Sequence, residues 1–123
     1  MVTGESGFIG RHLSAALAAD GYAVHGLSRR SGVDITDAKA VRETVLRVHP
    51  AAIYHLAGPS FVPDSRREPE RFRVAHVDGT RNLLEAARDL RPHPRILLVG
   101  TADSYRPDPG NIPFEEWNAI EPE

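Results

Sequence analysis

Hydrophobic positions along the chain alternate between short continuous runs and stripes with helical spacing. Four apolar runs have the length and character of buried strands: 1–3, 22–28, 52–57 and 95–101. Three longer stretches carry apolar residues at helical spacing, which indicates amphipathic helices: 8–20, 37–49 and 69–90. Strands that alternate with helices favour right-handed crossovers and a parallel sheet. The predicted fold class is therefore α/β, a doubly wound parallel sheet.

Individual residues mark where the predicted helices begin and end. Gly21 follows the first helix, and glycine enters a left-handed helix cap without strain. Thr36 or Asp37 can cap the start of the second helix, and Pro50 prevents that helix from continuing. The run 95–101 is nearly all apolar, so we expect a strand that is covered on both faces.

The last part of the chain loses this periodicity. Beyond Ser104 the sequence is rich in proline and shows no repeated apolar spacing, which is typical of a surface loop. We therefore divide the chain into a region of strands and helices, 1–106, and a proline-rich loop, 107–123.

Composition excludes several classes of function. The chain has 123 residues, 15 basic and 17 acidic, and its net charge of −2 gives no bulk attraction for nucleic acid. Because cysteine is absent, disulfides, thiolate metal sites and thiol nucleophiles are excluded, and the histidines lack the paired spacing of metal ligands. No apolar run reaches the roughly 20 residues of a membrane helix. We expect a cytoplasmic protein with no metal, nucleic-acid or membrane partner.

A glycine-rich turn joins the first strand to the first helix. Gly4, Gly7 and Gly10 form G-x-x-G-x-x-G at this junction. Such a turn lets the backbone approach a pyrophosphate closely and directs the free N–H groups of the helix at it. The sequence therefore predicts a dinucleotide site, with simple close packing in a tight turn as the alternative.

The end of the second strand bears on the choice of dinucleotide. Sites that prefer NAD usually carry an acid there, about 20 residues beyond the glycines, to hold the ribose 2′-hydroxyl. In this chain the strand ends in Leu27 and Ser28 followed by Arg29 and Arg30. Two guanidinium groups suit a 2′-phosphate, which favours NADP over NAD; the alternative is a pair of solvated surface arginines.

The segment that holds the glycine turn, 2–13, is followed along nearly the whole chain by further motifs in order: 34–37, 54–58, 79–87, 99–105 and 112–116. Together they resemble the extended short-chain dehydrogenase/reductase family, the NAD(P)-dependent nucleotide-sugar epimerases and dehydratases. The arginine pair and the loop 107–122 are most similar to GDP-mannose 4,6-dehydratases and GDP-4-keto-6-deoxymannose reductases. The resemblance implies a Rossmann-type sheet, a nucleotide-sugar substrate and hydride transfer at the sugar C4.

The resemblance also implies roles for individual residues. Asp34 would accept a hydrogen bond from the adenine amino group while Ile35 packs on the ring, although Asp34 alone could cap a turn. Leu56 to Gly58 would pass along the ribose and phosphates. The full set of residues expected at the cofactor is Gly4, Ser6, Gly7, Phe8, Ile9, Gly10, Arg29, Arg30, Asp34, Ile35, Leu56, Ala57 and Gly58.

Two further residues match positions at which the family performs its chemistry. Thr101 stands where the family has the hydroxyl that hydrogen-bonds the reacting sugar oxygen, with a strand-end threonine as the alternative. Asp103 stands where the dehydratases carry an acid, usually Glu, that removes the C5 proton. Asp is one methylene shorter, and misplacement by about 1 Å can cost roughly 100-fold in rate. This favours reductase or epimerase over dehydratase chemistry.

The chain departs from the family pattern in three places. The catalytic Tyr-x-x-x-Lys is absent, since Tyr22, Tyr54 and Tyr105 have no lysine four residues later. The first strand is short. His76 replaces the usual Asn, and its place on an apolar stripe favours a hydrogen-bonded core histidine.

From these departures we expect the amino-terminal part of an enzyme. Its sheet would be incomplete, without the carboxy-terminal strands and the substrate domain, and it would lack turnover on its own. A homodimer is one candidate assembly. The alternatives are a non-catalytic NADP-binding or regulatory module, or the product of a decayed gene.

Overall fold

A computed structural model describes residues 1–106 and 113–121 of the chain. Four parallel strands form one sheet in the order β2-β1-β3-β4. The strands are β1 (Val2–Thr3), β2 (Gly26–Leu27), β3 (Ala52–His55) and β4 (Arg95–Leu98). The predicted doubly wound parallel sheet is therefore confirmed.

Helices connect these strands. They are α1 (Phe8–Ala19), α2 (Ala38–Val48), α3 (Val62–Arg67), α4 (Pro69–Arg73) and α5 (Gly79–Arg88), with a π-helical turn at Val74–Asp78 and a 3₁₀ turn at Ala102–Ser104. Because β2 and β3 lie on opposite sides of β1, right-handed crossovers place α1 on one face of the sheet and α2 on the other. Of the two candidate caps of α2, Asp37 is the one that caps it, since its side chain accepts from the Ala40 amide.

The hydrophobic core lies between the sheet and the paired helices α2 and α5. Side chains from both helices, from β2 and β3 and from the residue before β1 meet there and are almost fully excluded from water. The core comprises Met1, Leu27, Ile35, Val41, Val45, Ile53, Leu83, Ala86, Ala87 and Leu90. Burial of this apolar set fixes the position of β1, at whose end the glycine turn begins.

Strand β2 is much shorter than the predicted run 22–28. Val2 pairs with Gly26 and Thr3 with Leu27, so residues 22–25 lie beyond the two paired positions of β1. Without a partner strand their backbone forms no ladder. The prediction of a strand over the whole run was therefore wrong.

Strand β4 also differs from its prediction. It pairs only with β3 and forms an edge of the described sheet. Leu97 is 54% exposed and Val99 is 56% exposed. The expectation of a strand covered on both faces was wrong in this structure, because apolar composition reports what a strand can bury and not what covers it.

The predicted helix 69–90 is present but not uniform. The π-helical turn separates α4 from α5, and Gly79 and Leu83 face the core as expected. The short helix α3, which begins next to Pro63, was missed. In α1 the predicted buried face is largely open, since Ile9 is 59% exposed and only Gly10 in that helix is buried.

The end of the chain is described only in part. Tyr105 bridges Ile120 and stacks on Phe114, and Arg106 pairs with Glu121. Residues 107–112 and 122–123 of the predicted loop 107–123 lie outside the described residues. The division of the chain at residue 106 therefore stays a prediction.

Candidate functional site

A cavity of about 480 Å³ opens at the carboxyl ends of β1, β2 and β3. Its floor is where the crossovers from β1 and β2 diverge to opposite sides of the sheet, the usual place for a ligand in such folds. The glycine turn, the end of β2, the segment before α2, the end of β3 and the α4–π region contribute its walls. The cavity therefore brings together residues that are far apart in sequence.

The glycine turn is packed so closely that no side chain fits at Gly4 or Gly10. Gly4 has a φ of +68°, and a Cβ there would lie 3.0 Å from the Ala57 backbone. A Cβ on Gly10 would lie 2.7 Å from the Glu5 Cα and would collide with the Gly4 carbonyl oxygen. This packing presses the start of α1 against the end of β1.

The amino terminus of α1 has no partner from its own side chains. Gly7 is the N-cap, offers no side-chain hydrogen bond, and the first turn contains no acid. The first N–H groups of a helix lack intrahelical partners and carry the positive end of the helix dipole. Since Gly4, Ser6 and Gly7 also line the cavity, the turn fits a pyrophosphate group.

A buried hydrogen-bond network supports the neighbouring wall. The hydroxyl of Thr3 accepts from the Leu56 and Ala57 amides, each at 3.1 Å, and therefore donates its own proton to His55 Nδ1 at 2.7 Å. The opposite ring nitrogen, Nε2, then carries a proton and donates to the Thr80 hydroxyl at 3.0 Å. Neutral His55 thus ties the end of β3 to β1 and to α5.

Burial lowers the pKa of His55 below its ordinary value of 6.5, and nearby His76 lowers it further. The unfolded chain therefore takes up this proton at a higher pH than the folded chain. We expect the stability that His55 contributes to be complete above pH 6.5 and to be lost as the pH falls through the lowered pKa. Urea unfolding from about pH 8 to about pH 5 should show this loss in the wild-type chain and a smaller loss in His55→Gln. Parallel pH profiles would contradict it.

The turn after β2 is held by its own side chains. Ser31 Oγ accepts from the Ser28 amide at 2.8 Å and donates to the Ser28 carbonyl at 2.9 Å. Arg29 lies on this turn and lines the cavity, whereas Arg30 is not among the lining residues. Both arginines are exposed. The structure therefore places one guanidinium-bearing residue of the predicted pair at the cavity wall.

Asp34 and Ile35 form the wall that precedes α2. Asp34 Oδ1 accepts from the Thr36 amide at 2.9 Å and from the Thr36 hydroxyl at 2.8 Å, and these hydrogen bonds lower the pKa of Asp34. Its side chain thus forms the turn that was the alternative to adenine binding, while still lining the cavity. Ile35 is 8% exposed and belongs to the core.

The end of β3 and the π-helical turn meet at the far side of the cavity. The His76 ring occupies the space that a Cβ of Gly58 would fill, with its Nδ1 2.7 Å from that position. His76 Nε2 donates to the Pro59 carbonyl at 2.9 Å. His76 is exposed, so the expectation of a core histidine was wrong, although the expected hydrogen bond is present. Leu56, Ala57 and Gly58 line the cavity.

Some predicted site residues lie away from the cavity lining. Phe8 is 73% exposed, and Ile9 and Gly10 do not line the cavity. Thr101 donates to Asp103 Oδ2 at 3.2 Å, and both side chains are exposed outside the lining. Thr101 and Asp103, the two residues predicted to take part in the reaction, are therefore close to each other but do not line the cavity.

Sequence reasoning missed several contributors to the cavity. Ser28 and Arg71 line it, and Thr36 completes the Asp34 turn. Arg71 belongs to α4, and over residues 66–73 the arginines are interleaved with two glutamates in a pattern that is also typical of a solvated helix face. A helical register in which Val74 and Ala75 also line the cavity could have indicated its position.

The described residues show two absences. In residues 1–106 and 113–121, no three histidine or acidic side chains are grouped so that they could hold a metal ion. Within the same part of the chain, no helix is both long and apolar enough to span a bilayer.

A parallel sheet with a glycine turn and an uncapped helix at its switch point defines a dinucleotide-binding domain of the Rossmann type. The model of the NAD-dependent epimerase/dehydratase family matches residues 1–123. The chain belongs to this family.

Comparison with individual proteins agrees with this assignment. The dTDP-4-dehydrorhamnose reductase of Streptomyces griseus is 34% identical over 94% of this chain and 37% of its own length. The UDP-glucose 4-epimerase of Thermus thermophilus, solved with NAD, superposes with a TM-score of 0.88 at 27% identity over 98% of this chain and 43% of its own. RMD from Pseudomonas aeruginosa, solved with NADPH, superposes with a TM-score of 0.77 at 31% identity over 99% and 42%. The chain thus spans about a third of the length of the curated relatives it matches.

Proposed function

We propose that this chain is the cofactor-binding part of an NADP-dependent nucleotide-sugar reductase, epimerase or dehydratase. The observation that carries the proposal is a single cavity that joins the uncapped start of α1 to Arg29. These two features lie at the places in the fold where a dinucleotide presents its pyrophosphate and its adenosine ribose.

The pyrophosphate is assigned to the glycine turn. Two negative phosphates are favoured next to helix N–H groups and the positive helix end, and the lack of a side chain at the glycines allows the backbone to touch them. The family supports a nicotinamide dinucleotide as the ligand.

The choice of NADP rests on Arg29. Solved relatives contain NAD in one case and NADPH in another, so the family alone does not distinguish the two. A guanidinium at the wall of the cavity binds a 2′-phosphate strongly and a 2′-hydroxyl weakly. Arg30, which lies outside the lining, is assigned a smaller contribution.

The proposed reaction follows from the family and from the two exposed residues beyond β4. A bound nicotinamide dinucleotide would supply hydride chemistry at C4 of the sugar. Thr101 would hydrogen-bond the reacting sugar oxygen, and Asp103 is held within reach of the same site by its hydrogen bond with Thr101. We propose a guanosine-diphosphate sugar as the substrate, because the arginine pair resembles that of the GDP-mannose enzymes. A cytoplasmic location and a homodimer stay predictions.

Calorimetric titration of the chain with NADPH and with NADH tests the cofactor assignment. We expect the wild-type chain to bind NADPH more tightly than NADH. Arg29→Ala should weaken NADPH binding by about tenfold and leave NADH binding nearly unchanged, since a charge-assisted hydrogen bond contributes about 1.5 kcal/mol or more. Arg30→Ala should have a smaller effect.

Arg66→Ala is the matched control, because Arg66 lies on α3 and does not line the cavity. A preference for NADPH that survives the double replacement of Arg29 and Arg30 would overturn the 2′-phosphate assignment. Failure of both cofactors to bind the folded chain would overturn the proposed function as a whole.

A further inference from the structure

A carboxylate reaches the end of β2 from a different element. Glu5 belongs to the glycine turn, yet its Oε1 accepts from the Ser28 hydroxyl at 2.7 Å. The side chain crosses Gly26, where a Cβ would lie 2.6 Å from the Glu5 Cδ. Its second oxygen, Oε2, is buried without a hydrogen-bond partner among the described residues. Glycine at position 26 therefore makes room for an acid that comes from the glycine turn after the neighbouring strand.

The hydrogen bond to Glu5 decides what Ser28 can offer a ligand. A hydroxyl has one proton and two lone pairs, and Ser28 gives its proton to Glu5. One lone pair faces the Ser31 amide at 3.3 Å. Because Ser28 lines the cavity, it presents the ligand with an acceptor and no donor.

An acceptor at this place distinguishes the two dinucleotides. A ribose 2′-hydroxyl can donate to Ser28, whereas a 2′-phosphate at neutral pH offers oxygen acceptors and adds negative charge near Glu5. Arg29, on the same turn, has the opposite preference. The two residues therefore act against each other at the adenosine end of the cavity.

We propose that Glu5 is a specificity-determining residue that, through Ser28, stabilises the 2′-hydroxyl form of the dinucleotide and limits the preference for NADP. The proposal rests on the proposed cofactor function. It gives this chain measurable affinity for NADH as well as NADPH, with the ratio set by the balance between the Glu5–Ser28 pair and Arg29.

The competing explanation is a purely structural tie. Glu5 joins the glycine turn to the turn 28–31, and losing that tie would loosen both ends of the cavity together. Such a loss would weaken NADH and NADPH by the same factor. The ratio of the dissociation constants of NADH and NADPH therefore distinguishes a role of Glu5 in selectivity from a purely structural role.

The test is calorimetric titration of NADPH and NADH into the wild-type chain, Glu5→Gln, Ser28→Ala and the control Glu85→Gln. Glu85 is exposed on α5 and outside the lining, so its replacement removes the same charge at a distance. We expect Glu5→Gln to lower the dissociation constant of NADPH by about fivefold, because a negative charge near the 2′-phosphate is removed. Ser28→Ala should weaken NADH by about fivefold with little change for NADPH, because one hydrogen bond is lost.

Each outcome bears on one claim. Equal changes in both dissociation constants in Glu5→Gln and Ser28→Ala would overturn the selectivity proposal while leaving the proposed function intact. Wild-type chain that binds neither dinucleotide would overturn the proposed function instead. Thermal unfolding of each variant identifies loss of folding, and if Glu5→Gln is unfolded, the NADH-to-NADPH ratio of Ser28→Ala decides the proposal.

Discussion

We expect Gly10→Ala to lower the free energy of unfolding by about 3 kcal/mol or more and to abolish dinucleotide binding. The added methyl would strike the Gly4 carbonyl and lie 2.7 Å from the Glu5 Cα, and these are backbone atoms that cannot rotate away. Alanine improves helix propensity by about 1 kcal/mol, which is too little to offset the collision. Moving α1 outward would also displace its N–H groups from the cavity. Chemical denaturation and titration with NADPH measure the two effects.

Gly100→Ala provides the control for this replacement. A Cβ on Gly100 meets no described atom within 4 Å, so the same chemical change should alter stability by only about 0.5 kcal/mol. If Gly10→Ala were as stable as Gly100→Ala, the close approach of α1 to the glycine turn would be incorrect.

We also expect Thr3→Val to lower the free energy of unfolding by about 2 kcal/mol or more. Valine keeps the shape of threonine but leaves the part-buried Ala57 amide and the buried His55 Nδ1 without their partner. The Leu56 amide retains the Thr3 carbonyl at 3.3 Å, which limits the loss. Because Leu56 and Ala57 line the cavity, NADPH should bind more weakly as well.

Thr3→Ser separates the hydroxyl from the methyl group. It keeps every hydrogen bond of the network and removes one methyl, which costs about 1 kcal/mol. Denaturation curves that place Thr3→Ser below Thr3→Val in stability would show that packing of the methyl, and not the hydroxyl, holds the end of β3.

Local signals in the sequence were sufficient for the parts of the site built from one segment. The glycine turn can be recognised in the sequence because three regularly spaced glycines between a strand and a helix are typical of it. The structure has this turn at the cavity. The α/β order follows from alternating periodicities in the same way. Most of the residues expected at the cofactor line the cavity, and the exceptions are Phe8, Ile9, Gly10 and Arg30.

Features that depend on contacts between distant segments were not predictable. The sequence has no acidic residue at the end of β2, yet Glu5 of the glycine turn places a carboxylate there. Strand β2 is shortened by the length of its partner, not by its own composition. The burial of β4 depends in the same way on neighbours that apolar composition cannot identify.

The π-helical turn at Val74–Asp78 changes the direction in which the side chains after it face. In an α-helix each residue advances about 100° around the axis, so one stripe of side chains faces one surface throughout. The wider turn changes this phase between its two ends, so the stripes of α4 and α5 are not continuous; Val74 and Ala75 line the ligand cavity, and Leu83 and Ala86 face the core. The turn therefore works as a rotational offset, and deleting one residue from it would realign the ligand-facing wall without changing any of its side chains.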